Sequence, residues 1–200
     1  MKKIYLILLL IFISSGANSQ TFTDKDLQKN VLKINTAISS SDYDALFKKF
    51  STANTSEKWQ AYYYSAVSLY MKAETAKSAS LAESNGLALK YAMSIVNSQP
   101  DNIETSILIG LAKLQRIRIN ASPDAKKDAE TILQFISKAE SVSPNNPRLT
   151  LLKAGMAKQF PDKKFDQMNA SQLQQKAVKD FDTSNSTDVT WGKQLLSLNK

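Results

Sequence analysis

Residues 143–155 read SPNNPRLTLLKAG, two prolines and two asparagines set between stretches of helical pattern. Residues 99–111, QPDNIETSILIGL, carry the same arrangement one step earlier. Pro144 falls on Pro100, Asn146 on Asn102, Leu151 on Ile107, Leu152 on Leu108 and Ala154 on Gly110, a step of 44 residues. A further step back puts Ile103 on Trp59 and Gly110 on Ala66. Self-similarity at a fixed period of this size marks stacked supersecondary units. Within the units apolar residues recur at helical spacing, as in Ile132, Phe135, Ile136 and Ala139, and alternation of β-branched residues is absent. Pro144 closes one helix, Asn146 caps the next, and Pro147 presets its first turn.

Each unit therefore reads as a helical hairpin. The expected boundaries are about 24–54, 56–99, 101–143 and 146–184, followed by a capping helix at 190–199. There Trp191, Leu195, Leu196 and Leu198 cover the open end of the array. Thr23-x-x-Asp26 reads as a near capping box, with Phe22 stapled onto Leu27, and Ser122-Pro123 as another helix start. Ala66, Gly110 and Ala154 lack bulk, which lets the partner helix of each hairpin approach. Residues 161–171, PDKKFDQMNAS, are the least regular interior segment and read as a mobile turn.

Several of these segments resemble tetratricopeptide repeats. Counted from Ile103, Ile109 and Gly110 match the family's seventh and eighth positions. Ala139, Pro144 and Asn146 match its late alanine, turn proline and following asparagine. SDYDALFKKF (41–50) resembles its turn and second helix, and WQAYYYSAVSLY (59–70) its aromatic first helix. The period departs from the family, which repeats every 34 residues. The extra length falls at Lys72–Asn85 and Arg116–Ala125, implying longer first helices or extended turns. A period of 44 also suits HEAT-type repeats. The resemblance implies an all-α protein, a right-handed array of antiparallel helical hairpins, in one domain over residues 20–200.

The chain opens with Lys2, Lys3, an unbroken apolar run from Ile4 to Ile13, and SSGANSQ. That is the plan of a secretory signal peptide over residues 1–19, with Ala17 and Ser19 placing cleavage before Gln20. The apolar run is about half the length that spans a bilayer as a helix. The expectation is an exported protein, periplasmic or extracellular, with no transmembrane segment after cleavage. It has no cysteine, so no disulfide supports it and apolar packing must suffice. Without Lys2 and Lys3 the net charge of +8 falls to about +6. No block of five or more basic residues occurs, which argues against a nucleic-acid partner.

The chemistry available is narrow. The chain has no histidine and no cysteine, and its five glycines are isolated, so it offers no phosphate-cradling loop. The acid pairs Asp24/Asp26 and Asp42/Asp44 fall in first helical turns, where carboxylates favour the helix dipole. No catalytic, metal-ligating or cofactor-binding residue is indicated. The expectation is a non-enzymatic scaffold or adaptor holding a protein or peptide partner. The alternative is a basic envelope-surface protein that binds anionic polymers or lipid headgroups.

The family pattern implies that first helices line a concave groove. It places Tyr63, Val67 and Tyr70 there from one hairpin, Ile107 and Leu111 from the next, and Arg148 from the last. Glu104, Leu114 and Leu151 share those faces; the alternative, in so short an array, is that neighbouring helices bury the stripe and Tyr63 and Tyr70 are core. Arg116 and Arg118 supply positive charge at one rim. Tyr62 shares a face with Trp59, Ala66 and Leu69 and is expected to pack in the core.

Overall fold

The computed structural model describes residues 22–76, 81–183 and 189–198, so the expected signal peptide and its cleavage site lie outside it. Every described segment of regular structure is helical. The elements are α1 (Lys25–Leu32), a 3-10 turn (Lys33–Thr36), α2 (Ser40–Ser51), α3 (Lys58–Thr75), α4 (Leu81–Val96), α5 (Ile103–Arg118), α6 (Ala125–Val142), α7 (Pro147–Gln159), α8 (Ala170–Asp182) and α9 (Leu195–Leu198).

Side chains start most of these helices. The Asn102 carboxamide accepts from Thr105 N at 2.9 Å, and Asn146 accepts from Arg148 N at 2.9 Å with Pro147 in the first turn. Ser39 and Asp42 form a reciprocal capping box at α2, as do Asn169 and Gln172 at α8. Two expected starts shift. Asp24, not Thr23, caps α1, accepting from Asp26 N and Leu27 N. Asp124, not Ser122, caps α6, which frees the Ser122 hydroxyl to bond Asp128 at 2.6 Å. In both cases a carboxylate displaces a hydroxyl at the positive helix end.

The helices fall into two kinds. α2, α4, α6 and α8 each bury one stripe: Tyr43, Leu46 and Phe50; Ala88, Ala92 and Ile95; Ile132, Ile136 and Ala139; Leu173, Ala177 and Phe181. α3, α5 and α7 are buried nearly all round, from Tyr63 to Met71, from Thr105 to Ala112 and from Leu149 to Ala154 without a break. Their neighbours explain this. α3 packs on α2, α4 and α5; α5 also meets α6 and α7; α7 meets α6 and α8. Fully buried helices cannot show a clean amphipathic stripe, because no side is left for water.

Polar side chains pin that interior. Asn85 of α4 donates to the Ala112 carbonyl at 2.8 Å and to the Gln115 carboxamide at 2.7 Å. Gln115 in turn donates to the Tyr70 carbonyl at 3.2 Å and to Glu74 at 3.0 Å. Three helices are thereby locked in register, since a slip would leave buried amides unpaired.

Gly110 acts elsewhere than expected, whereas Ala154 packs with Leu173 of its own partner α8. A Cβ on Gly110 would sit 2.8 Å from Leu152 Cδ2, and one on Gly155 would sit 2.6 Å from Leu114 Cδ2. Both contacts join α5 to α7, so Gly110 admits the next inner helix and not its own partner α6. The extra residues of the long period lie mainly in helices, with α3 and α6 each 18 residues and α4 and α5 each 16. The tyrosine triplet also differs. Tyr63 and Tyr64 are buried and Tyr62 is 39% exposed, set edge-on against Tyr91 at 5.9 Å. α3 has helices on several sides, and the one direction left free belongs to Tyr62.

Residues 160–169 form an irregular turn, with Asp166 and Gln167 at positive φ. It is held down: Lys153 of α7 bonds Asp166 at 2.7 Å, and Phe165 and Met168 pack over Ala154, Ala157 and Leu173.

Candidate functional site

The groove positions lie side by side on α3, α5 and α7, but they are covered. Tyr63, Val67, Tyr70, Ile107 and Leu111 are all at most 3% exposed. Over Tyr63 and Tyr70 the cover is Trp191, from the chain's own C-terminal segment. Trp191 enters edge-on to Tyr63 and Tyr70, each ring 6.3 Å away, and the Arg148 guanidinium lies 4.7 Å over the indole.

Polar contacts hold the segment in place. The Trp191 indole N–H donates to the Tyr63 hydroxyl at 3.1 Å, and that hydroxyl donates to Glu104 at 3.0 Å. Arg148 Nε donates to the Trp191 carbonyl at 3.1 Å, and its Nη2 donates to the Val189 carbonyl. Its Nη1 reaches Glu104 at 3.3 Å. Burial first, and then the Glu104 charge, hold the Tyr63 hydroxyl well above its ordinary pKa, with Arg148 opposing. It stays a neutral relay. Gly192, at φ +96°, turns the chain where a side chain would press on Phe181 at 3.3 Å. On the two sides of the turn, the Thr190 N–H donates to Asn35 at 2.8 Å and Gln194 donates to the Ile34 carbonyl at 2.8 Å. Thus the segment does more than cover the last hairpin. It crosses from α7 and α8 to α3 and the 3-10 turn.

The far half of the same face stays open. A cleft of about 270 Å³ runs past Leu195. Leu111, Leu114, Leu151 and Gly155 line it, with Glu74, Arg118, Lys158, Gln159 and Gln174 around its mouth. Arg118 pairs with Glu74 across α3 and α5 at this mouth. Arg116 is not beside it. It turns to the buried Asp128 of α6, together with Lys113 at 2.7 Å. The two arginines are two residues apart on a helix, so they leave it in widely different directions.

Sequence reasoning did not find the contact of Trp191 with Tyr63 and Tyr70. The signal available was Trp191: a buried indole needs both apolar cover and an acceptor for its N–H. Among the described residues no group of three or more acidic side chains is placed to hold a metal ion. The acid pairs serve structure, Asp24 and Asp42 in caps and Asp44 in a bond to Lys72 at 2.6 Å. The arrangement holds the chain's own residues 189–191 through two carbonyls and the Trp191 indole. Compared with family models, curated proteins and solved structures, the chain matches none of them.

Proposed function

We propose that the protein is an exported, non-enzymatic scaffold that holds a peptide or protein partner on the face of α3, α5 and α7. The site is the cleft that residues 189–198 leave open. The observation that carries this reading is the covered half of the face, which already holds a polypeptide segment by its carbonyls and one aromatic side chain. The open half offers an aliphatic floor with Lys158 exposed at its mouth. It suits a short segment with an aliphatic side chain next to a carboxylate. The tetratricopeptide-like, right-handed array is part of the same proposal. Its support is the side-by-side packing of α3, α5 and α7 with α2, α4, α6 and α8 against them.

The test is a panel of short peptides titrated against the full chain. Peptides with an aliphatic residue beside an acidic one should bind, and Lys158→Glu should weaken them about tenfold, with no change in melting temperature. Failure of every such peptide, or indifference to Lys158→Glu, removes the cleft as the site. Export has its own check. Mass spectrometry of the protein from its host should find a chain that begins at Gln20.

A further inference from the structure

Away from that face, α1 carries a second feature. Lys25, Lys29 and Lys33 follow one another at intervals of four, from α1 into the 3-10 turn, and all three are exposed. With Leu32 and Thr36 they line a shallow surface groove. The opposite side of the same segment is anchored, with Leu27, Val31 and Ile34 at most 3% exposed, so the lysine face is held outward. Lys49 of α2 lies against Lys33. The Lys49 charge first, and Lys29 further, depress the Lys33 pKa, the mark of positive charges crowded without a counterion.

Carboxylates do not relieve that crowding. Lys48, Lys72, Lys113, Lys138, Lys153, Lys176 and Lys193 each have a carboxylate within salt-bridge distance. Among the described residues no ion pair involves Lys25, Lys29, Lys33 or Lys49. Asp24 and Asp42 are committed to backbone N–H groups at the helix starts. Asp26 is exposed on the first turn of α1 and pairs with none of the four. Two aliphatic side chains accompany the charges: Leu32, 41% exposed within the lysine face, and Ile38, 76% exposed just past the 3-10 turn.

We propose that this face of α1, with Lys49, docks the protein on an anionic phospholipid surface. The four ammonium groups meet the phosphates, and Leu32 and Ile38 enter the boundary between headgroups and acyl chains. A soluble polyanion satisfies the charges and leaves the two aliphatics in water, which is why a lipid surface fits better.

The experiment is cosedimentation of the full chain with phosphatidylcholine vesicles, with and without phosphatidylglycerol. Binding should require the anionic lipid and weaken as salt rises. Replacing Lys25, Lys29, Lys33 and Lys49 by Gln should cost roughly fivefold per lysine at low salt, several hundredfold in all. A control that replaces the exposed Lys126, Lys127, Lys163 and Lys164 by Gln removes the same charge and should cost far less. Both variants keep residues 1–21, so anything that the apolar leader contributes cancels. Leu32→Ser with Ile38→Ser should weaken the binding that survives at high salt. Equal loss in the two lysine variants overturns the proposal, as does failure to bind anionic vesicles. Equal competition by inorganic polyphosphate, with the serine variant unaffected, makes the face a soluble-polyanion site and overturns the lipid assignment.

Discussion

Trp191 carries one hydrogen-bond donor and buries it, so the indole depends on the Tyr63 hydroxyl 3.1 Å away. Tyr63→Phe keeps the ring and removes that acceptor together with the donor to Glu104. It should destabilise the protein by about 1–3 kcal/mol, the cost of leaving a buried polar group unpaired. Thermal unfolding of Tyr63→Phe, Trp191→Phe and the double variant is the check. The double change should cost less than the two single costs added together, because the second removes a partner already lost. Gly110 makes a comparable case from the side of packing. Gly110→Leu should cost about 1–3 kcal/mol by overpacking against Leu152, and Leu152→Ala should recover part of it. Unchanged stability in Gly110→Leu would place the α5–α7 approach elsewhere. The need for a small residue at this position was legible from the repeat. Which helix it admits was not, since a period along one helix does not say which neighbour faces it.

At the scale of elements, the stripe of α6 was readable in outline from its spacing, because that helix has one buried side. The stripes of α3 and α5 were not decidable from spacing alone. Their apolar residues read equally as groove or core, because helices packed all round show the same residue types with no open side. The loop joining α5 to α6 turns on the buried Asp128, which no pattern in the sequence singled out. Burial raises its carboxyl pKa, but hydrogen bonds from Arg116, Lys113 and Ser122 outweigh that and hold it well below the ordinary value of 3.8. A carboxyl depressed in the folded state adds stability that is complete above its unfolded pKa and is lost as the pH falls toward the folded one. The protein should therefore lose stability on acidification below about pH 4, and Asp128→Asn should flatten that loss. At neutral pH the variant leaves Lys113 and Arg116 without their counterion and should cost about 3 kcal/mol, the lower end for a buried pair, since both cations keep some solvent. Urea titrations of the two proteins at pH 7 and pH 3.5 decide it. Parallel losses of stability would mean that other carboxylates carry the acid response.

Across the whole molecule, the C-terminal segment ties together helices far apart in the chain. In a plain stack of hairpins each unit touches only its neighbours, so the ends can fray independently. Here residues 190–194 bond Asn35 and Ile34, more than 150 positions earlier, while Trp191 sits on α3 under Arg148 of α7. The segment clasps the first hairpin, through Asn35 and Ile34, to α3 and α7, between which the indole sits. That contact has no local signature, and its distance along the chain is why the sequence disclosed hairpins but not their closure. Clasping makes the ends depend on each other, so the protein should unfold as one cooperative unit. In a Trp59→Phe background Trp191 is the sole tryptophan, and its fluorescence reports the clasp alone. The fluorescence and far-UV circular dichroism transitions in urea should coincide. Trp191→Ala should cost about 3–5 kcal/mol, as for other large buried aromatics, and should split or broaden the dichroism transition as the ends come free. A fluorescence change completed well before the helices melt would show the segment to be a loosely held cover, and the first and last hairpins would then be energetically separate.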